Sequence, residues 1–259
     1  MPHPPWLYWL DECSSTNTWA LQTLDKLTQG DVVFTPHQTA GRGQHGREWY
    51  APPGVFTASF ILTPLAPQEL PYLSLAAGLA VIHALEDLIP LPAQALGIKW
   101  PNDVLLGGRK LAGVLCEARF PKAVVGIGLN RAVNWQNVLT QGRVNLSPKQ
   151  VASLTEITAN PPEVMTLLAK LRNYLLQAHG LIQHQGLTGL LPQLRQRDVL
   201  YGCPLIVNTG QGDLTGVGAG FDEQGRLLIQ AHDGAVYPLT AGRVLHWEMS
   251  RFIGGIPQS

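Results

Sequence analysis

The sequence predicts a protein that combines helices and strands in one large unit and ends in a small β-barrel. Up to about residue 195, apolar runs of strand type are interspersed with stretches of helical periodicity. Beyond that point, short strand-like runs are separated by glycine turns, and Asp222-Glu223-Gln224-Gly225 and Asp233-Gly234 are hairpin signals. We therefore expect two domains, residues 1–195 and 196–259, which meet at the charged segment 195–198.

Local patterns support each expected element in turn. Apolar and β-branched runs predict strands at 7–10, 32–36, 55–62, 96–106, 110–118 and 123–129. One helix follows the capping residues 14–17, a second covers 72–88, and a third starts at the Pro-Pro-Glu of 161–163 and continues to 179. In the tail, strands are expected at 204–208, 214–221, 226–231 and 235–239. The polar segment 131–160 is expected to be irregular.

Charge and cysteine content exclude several classes of protein. The 259 residues carry 18 basic and 18 acidic side chains, so the formal net charge is zero. Proteins dedicated to nucleic-acid binding carry a basic excess, which argues against DNA as a partner and against an RNA-binding barrel. The apolar stretch 73–82 is too short to span a membrane. Three scattered cysteines, Cys13, Cys116 and Cys203, have no metal-ligand spacing and suggest the reducing cytoplasm.

A glycine- and arginine-rich loop is the first candidate for chemistry. It reads Gly41-Arg42-Gly43-Gln44-His45-Gly46-Arg47. Glycines let backbone N–H groups approach an anion, and an arginine can bind a carboxylate or phosphate through two hydrogen bonds. Taken alone, this loop is as compatible with a solvated surface turn as with an anion site.

Two lysine-bearing stretches follow. In Lys99-Trp100-Pro101-Asn102-Asp103, the proline fixes the backbone and Asn102 offers donors and an acceptor that match an adenine edge. Lys110-Leu111-Ala112-Gly113 comes after a Gly-Gly turn, so we expect Lys99 and Lys110 to lie on facing strands of one hairpin and to converge. Each stretch alone is also compatible with an ordinary strand end.

Read in order, these motifs resemble those of the biotin–protein ligase family. That family carries STN, GRGRxGRxW, KWPND, KLAG and GIGxN, and the corresponding stretches here begin at Ser15, Gly41, Lys99, Lys110 and Gly126. The resemblance covers nearly the whole chain. It implies an α+β fold, with a mixed β-sheet catalytic domain flanked by helices, as in class II synthetases, and a small C-terminal SH3-like barrel.

The resemblance also implies a reaction in two steps. Biotin and ATP give biotinyl-5'-AMP and pyrophosphate, and a lysine of a biotin carboxyl carrier domain, from acetyl-CoA carboxylase or a similar carboxylase, then displaces AMP. Because carboxylate and phosphate repel each other, fixed cations are needed between them. The implied catalytic residues are Arg42, Lys99, Asp103 and Lys110. Mg²⁺ would accompany ATP, held mainly by phosphates and water, with Asp103 as a candidate ligand or base.

Binding roles follow from the same resemblance. The implied biotin-binding residues are Ser15, Thr16, Asn17, Gln38, Gly41, Arg42, Gly43, Gln44, Lys110 and Gly113. The implied nucleotide-binding residues are Arg42, Gln44, Arg47, Lys99, Asn102, Asn130 and Trp135. For Trp135, stacking on adenine and packing beneath its own loop, 131–146, are equally compatible with the sequence.

The chain departs from the family pattern at two points. Gln44 stands where the family commonly has arginine, which removes a positive charge beside the leaving pyrophosphate, and a protonated His45 restores part of that charge. We expect weaker ATP binding or slower adenylation as a result. Ser15 comes only 14 residues after Met1, so we expect a ligase without the DNA-binding domain of the family's repressors.

Other functions stay open at this stage. A lipoate ligase or octanoyl transferase shares the fold, but these relatives lack the glycine-arginine loop together with KWPND. A non-catalytic biotin-binding protein is supported by Gln44 alone. A monomer and a homodimer are both compatible with the sequence.

Overall fold

The computed structural model describes residues 3–142 and 147–248. Its strands are β1 (Leu7–Trp9), β2 (Val32–Thr35), β3 (Val55–Leu62), β4 (Leu96–Lys99), β5 (Asp103–Leu106), β6 (Arg109–Arg119), β7 (Lys122–Asn130), β8 (Pro204–Asn208), β9 (Asp213–Phe221), β10 (Leu227–Gln230), β11 (Val236–Leu239) and β12 (Arg243–Trp247). Its helices are α1 (Thr16–Gln22), α2 (Leu70–Leu88), α3 (Trp135–Thr140), α4 (Val164–Gln185) and α5 (Leu191–Arg197). No helix in these two described ranges is long and apolar enough to cross a bilayer.

A seven-stranded mixed sheet forms the centre of the molecule, in the order β1-β2-β3-β7-β6-β5-β4. Strands β1 and β2 are parallel, and the other neighbouring pairs are antiparallel. One face carries large apolar side chains such as Phe56, Phe60 and Ile127, which belong to the same core cluster as residues of α2 and α4. The predicted α+β class with a helix-flanked mixed sheet is confirmed.

The opposite face of the same strands is built from small residues. Helix α1 covers part of this face, where Ala20 and Leu24 join Val33, Ile61 and Val124 in a separate apolar cluster. Next to that cluster, the strands present glycine, serine and threonine instead of large apolar side chains. Since small residues do not fill the space above a sheet, this face has room for a ligand.

A second, antiparallel sheet of five strands follows in the order β11-β10-β9-β8-β12, consistent with the predicted SH3-like barrel. It shares the core of the first sheet, because Leu205 and Phe221 belong to the same apolar cluster as residues of α2. The Trp100 indole Nε1 donates to the Gly225 carbonyl at 3.2 Å and ties the two sheets together. The division into domains at 195/196 stays a prediction.

Several element predictions hold, and four are wrong. Strands 55–62 and 204–208 are confirmed to the residue, and the two Asp-Gly signals do connect consecutive antiparallel strands. The expected single strand 96–106 is two strands, because proline at 101 cannot donate to a ladder and the chain turns there. The expected irregular stretch 131–160 contains α3, although 143–146 lie outside the described residues.

The other two errors lie near the second sheet. The charged hinge expected at 195–198 is mostly the end of α5, which starts beside a proline and buries Leu191 and Leu194. Strand β12 was not expected because its residues are largely exposed and lack clean alternation. The segment 249–259, part of the predicted barrel domain, lies outside the described residues.

Candidate active site

A cleft of about 730 Å³, open on one side to solvent, lies on the small-residue face of the central sheet. The figure includes the solvent-filled mouth of the cleft. The residues that line it come from α1, the loop after β2, and strands β3, β5, β6 and β7. They are Ser15, Thr16, Asn17, Gln38, Arg42, Gly43, Gln44, Arg47, Glu48, Trp49, Thr57, Asn102, Asp103, Lys110, Gly113, Val114, Leu115, Gly126, Ile127 and Gly128.

Glycines in β6 and β7 form the floor of this cleft. A Cβ at Gly128 would clash with the Trp49 ring, and a Cβ at Gly126 would clash with the Asn17 amide. At Gly113, a Cβ would lie 3.0 Å from the Trp49 ring. The indole therefore lies flat over two strands only because neither carries a side chain at those positions.

One end of the cleft is a buried polar cluster formed by Ser15, Thr16, Asn17, Gln38 and Ser59. The first three and Ser59 are at most 4% exposed. Ser59 Oγ lies 2.6 Å from Asn17 Oδ1 and 2.7 Å from Thr16 Oγ1. The Thr16 backbone N–H donates to Gln38 Oε1 at 3.0 Å. The hydroxyls and amides of the cluster thus hold one another in fixed orientations before any ligand arrives.

The loop 41–49 closes over the cleft as a small hairpin. Trp49 N–H donates to the Gly41 carbonyl at 2.9 Å, and Gly43 N–H donates to the Arg47 carbonyl at 2.7 Å. His45 has a left-handed backbone with φ of 57°. Since the Gly43 N–H is used inside the loop, it does not point into the cleft as an anion donor in this conformation.

Arg42 lies on this hairpin and is held from two sides. Its Nη1 donates to Thr18 Oγ1 at 3.0 Å, and its Nη2 forms an ion pair with Glu117. The Arg42 side chain is 45% exposed. The guanidinium therefore stands at the rim of the cleft with N–H groups to spare.

Lys110 faces the cleft because of a β-bulge. Asp103 pairs with Gly113 and Leu105 pairs with Lys110, so Leu111 is an extra residue on β6. The bulge turns Lys110 to the same side as Gly113, although their spacing of three would otherwise place them on opposite faces. Lys110 Nζ lies 2.6 Å from Asp103 Oδ1 and 5.3 Å from the centre of the Trp49 ring.

Lys99 is placed differently from the prediction. Strand β5 lies between the strands of Lys99 and Lys110, so the two lysines are not on facing strands. Lys99 pairs with Asp103, and its Nζ lies 5.7 Å from the centre of the Trp247 ring on β12. It does not line the cleft in the described part of the chain. Burial lowers the pKa of Lys99, and the nearby Lys110 lowers it further.

Besides Lys99, the other three predicted nucleotide residues outside the loop also have structural contacts. Asn102 lines the cleft, and its Nδ2 donates to the Val114 carbonyl at 2.8 Å. Asn130 is buried and donates to the Lys110 carbonyl at 3.1 Å, which fixes the backbone of that lysine. Trp135 is 8% exposed and belongs to an apolar cluster with Val133, against which Trp49 of the cleft packs, and its binding to a nucleotide stays a prediction.

Sequence reasoning missed four residues around the cleft. Thr57 and Ser59 interrupt an otherwise apolar strand at a spacing of two, and this alternation could have indicated a polar site on one face. Glu117 follows Gly113 at a spacing of four along β6 and thus shares its face. Thr18 had no signal in the sequence, because its contact with Arg42 depends on how the loop folds back.

The chain is similar to known proteins in sequence and in structure. The model of the biotin/lipoate A/B protein ligase family matches residues 9–134. A biotin–[acetyl-CoA-carboxylase] ligase from Mycobacterium tuberculosis is 34% identical, over 84% of this chain and 79% of the relative. The chain belongs to the biotin/lipoate A/B protein ligase family. The expected resemblance is confirmed.

Two further similarities support the membership. A biotin–[acetyl-CoA-carboxylase] ligase from Paracoccus denitrificans is 33% identical, over 87% of this chain and 94% of the relative. Among solved structures, the biotin protein ligase from Aquifex aeolicus in complex with biotin and ATP is similar with a TM-score of 0.78 and 26% identity. That match covers 94% of this chain and 99% of the Aquifex chain.

Proposed function

We propose that this protein is an ATP-dependent biotin–protein ligase that makes biotinyl-5'-AMP and then transfers biotin to a lysine of a carrier domain. One observation carries the proposal within the site. The same cleft is lined by members of a buried polar cluster and by two cations, Arg42 and Lys110. Biotin has the matching shape, with a ureido ring at one end and a carboxylate at the other.

The polar cluster suits the ureido ring. This ring offers one carbonyl acceptor and two N–H donors, and hydroxyls and amides can supply the complementary groups. Ser15, Thr16, Asn17 and Gln38 all line the cleft at this end. Because the groups are already mutually hydrogen-bonded, they lose little freedom when a ligand binds.

The cationic end suits the first chemical step. A biotin carboxylate oxygen attacks the α-phosphorus of ATP, the bond to the β-phosphate oxygen breaks, and pyrophosphate leaves with that electron pair. Two like charges about 4 Å apart repel by roughly 4 kcal/mol at an effective dielectric of 20. Arg42 and Lys110 offset this repulsion and stabilise the charge that spreads over the phosphoryl oxygens.

The second step is an acyl transfer. The neutral amine of the acceptor lysine attacks the carboxyl carbon of the adenylate, and the bond to the phosphate oxygen breaks as AMP leaves. Asp103 lines the cleft and is the candidate group to accept the proton released by the amine, as an alternative to a role as a ligand of Mg²⁺. Lys99 adds positive charge on the nucleotide side, and Asn102 is the candidate reader of adenine.

Mg²⁺ fits this site as a companion of the triphosphate. Within the described residues, no group of three histidine, cysteine or acidic side chains could hold a metal ion alone. The cleft does present the carboxylates of Asp103 and Glu48. Mg²⁺ bound mainly by phosphates and water would neutralise charge on ATP, with Asp103 as its candidate protein ligand.

The acceptor protein, the cellular location and the oligomeric state are predictions. A carrier domain of acetyl-CoA carboxylase is the expected acceptor, since the relatives are named for that substrate. The cytoplasmic location follows only from the scattered cysteines, and both a monomer and a homodimer remain compatible with the site.

Mass spectrometry tests the proposed function directly. A purified carrier domain is incubated with this protein, Mg-ATP, and either biotin or lipoate. We expect a biotin-sized mass increase on one lysine, and no increase with lipoate. A lipoyl mass increase would instead support the lipoate-ligase alternative, and tight biotin binding without transfer would support a sequestering protein.

A further inference from the structure

We infer that Glu117 is a positioning residue, which fixes the Arg42 guanidinium and links it to Asn17 of the polar cluster. Glu117 does not line the cleft in the described part of the chain. It therefore acts on a ligand only through its neighbours. This inference rests on the proposed function, because it concerns the residues that bind biotin and its phosphate partner.

The first contact is with Arg42. Glu117 Oε1 forms an ion pair with Arg42 Nη2, and Thr18 Oγ1 accepts from Nη1. Arg42 lies on an exposed hairpin, and the side chain has several rotatable bonds. An arginine left free on such a loop would lose considerable rotamer entropy on binding a ligand. Two anchors on the rigid body of the protein hold the guanidinium in place and leave its other N–H groups for a carboxylate or phosphate.

The second contact is with Asn17. Glu117 Oε2 accepts from Asn17 Nδ2 at 2.9 Å, and the same Nδ2 donates to the Leu115 carbonyl at 3.1 Å. Asn17 Oδ1 in turn lies 2.6 Å from Ser59 Oγ. With both donors and its acceptor used, the Asn17 amide has one orientation.

A chain of polar contacts thus runs from Arg42 through Glu117, Asn17 and Ser59 to Thr16. One oxygen of the Glu117 carboxylate holds Arg42, and the other holds Asn17. The position of the guanidinium relative to the Asn17 amide is therefore set by one side chain.

The test is a double-mutant cycle on adenylate formation, measured with radiolabelled ATP. In the wild-type background, Glu117→Gln should lower kcat about tenfold, because it removes a charge-assisted contact to Arg42. The Michaelis constant for biotin should change by less than about twofold, since a glutamine oxygen can still accept from the buried Asn17. In an Arg42→Ala background, Glu117→Gln should cost less than about twofold, because the group that it positions is absent.

Two further variants make the cycle decisive. Thr18→Val removes the other anchor of Arg42 with little change in shape, so it should lower kcat by roughly threefold and also lose its effect beside Arg42→Ala. Glu86→Gln is the matched control, because Glu86 forms the same kind of ion pair with Arg197 outside the cleft. It should leave kcat unchanged.

The outcomes separate the two levels of inference. A wild-type protein that makes no adenylate would refute the proposed function itself. If the wild type is active and the Glu117→Gln variant has the same kcat, the positioning role is overturned. An equal loss in both backgrounds would overturn it too, since Glu117 would then act by another route. If Glu117→Gln does not fold, the Thr18→Val cycle alone decides whether the anchoring of Arg42 matters.

Discussion

The two ends of the cleft are organised in opposite ways. At the polar cluster, Ser59 is fully buried and its hydroxyl contacts both Asn17 and Thr16. At the cationic end, the side chains of Arg42 and Lys110 are 45% and 33% exposed, and each is held by one carboxylate. One end is a rigid template, whereas the other is a set of cations on or beside a surface hairpin.

This difference suggests a division of labour. A rigid, buried cluster selects a ligand by the hydrogen bonds it satisfies, because a mismatched ligand leaves buried groups unpaired. Exposed cations discriminate little between ligands, but their side chains can move with the phosphate groups as a reaction proceeds. We therefore expect mutations at the polar cluster to change biotin binding, and mutations at the cationic end to change turnover.

Lys110→Ala should give the largest loss of turnover. If it weakened only the binding of substrates, the contrast between the polar cluster and the cations would not hold. Removing a preorganised cation beside the reacting phosphate should lower kcat roughly 100- to 1,000-fold. Pyrophosphate release under saturating substrates measures this loss. Lys26→Ala, which removes an exposed lysine outside the cleft, is the control and should match the wild type. A purely biotin-affinity effect would contradict the assigned role of Lys110.

Two glycines on β7 offer a matched pair of substitutions. Gly126→Ala would press on the locked Asn17 amide, so it should lower the free energy of unfolding by about 1–3 kcal/mol. Gly128→Ala would press on Trp49, which belongs to the hairpin and can move away. It should therefore lower activity about tenfold with a smaller change in stability. Thermal unfolding and turnover of both variants give the test, and the reverse pattern would show that the hairpin is the rigid end.

Ser59→Ala should affect biotin recognition. It leaves Asn17 Oδ1 and Thr16 Oγ1 without their shared partner in a buried place. We expect a roughly tenfold weaker affinity for biotin, in line with the loss of one buried hydrogen bond, and an unchanged affinity for ATP. Isothermal titration calorimetry with each ligand separates the two. A loss of ATP affinity alone would contradict the assignment of this end to biotin.

Gln44→Arg should give the smallest change, and it tests how strongly the exposed hairpin contributes to ATP binding. Gln44 lines the cleft on the hairpin, where the family commonly has arginine. A restored positive charge near solvent contributes at most about 1 kcal/mol, so the Michaelis constant for ATP should fall no more than about fivefold. Gln44→Glu is the charge-reversed control and should raise it. If both variants had the same Michaelis constant for ATP, the side chain at position 44 would not interact with the phosphates.

The sequence predicts the polar cluster and the cations well, and it fails where contacts depend on register. Ser15, Gln38, Arg42 and Lys110 all line one cleft, as their motifs indicate. Periodicity alone would place Lys110 and Gly113 on opposite faces, and only the bulge at Leu111 brings them together. Bulges depend on the pairing of two strands, which no local pattern encodes.

Long-range packing accounts for the other gaps. The sequence predicts that Lys99 lies on a strand that faces the strand of Lys110. In the structure, β5 lies between these two strands, and the aromatic ring beside Lys99 comes from β12, far along the chain. Trp135 carries no local sign of whether it faces a ligand or the core. The contact between Arg42 and Glu117 joins residues 75 positions apart in the chain, a distance over which composition and spacing predict nothing.

The indole of Trp247 over Lys99 has a consequence for how the protein is made. All residues that line the cleft lie within the first 128 positions, yet the ring that covers Lys99 is synthesised well over a hundred residues later. A nascent chain therefore contains every residue that lines the cleft well before it contains Trp247. A chain terminated before Trp247 would carry the cleft residues without this cover of Lys99.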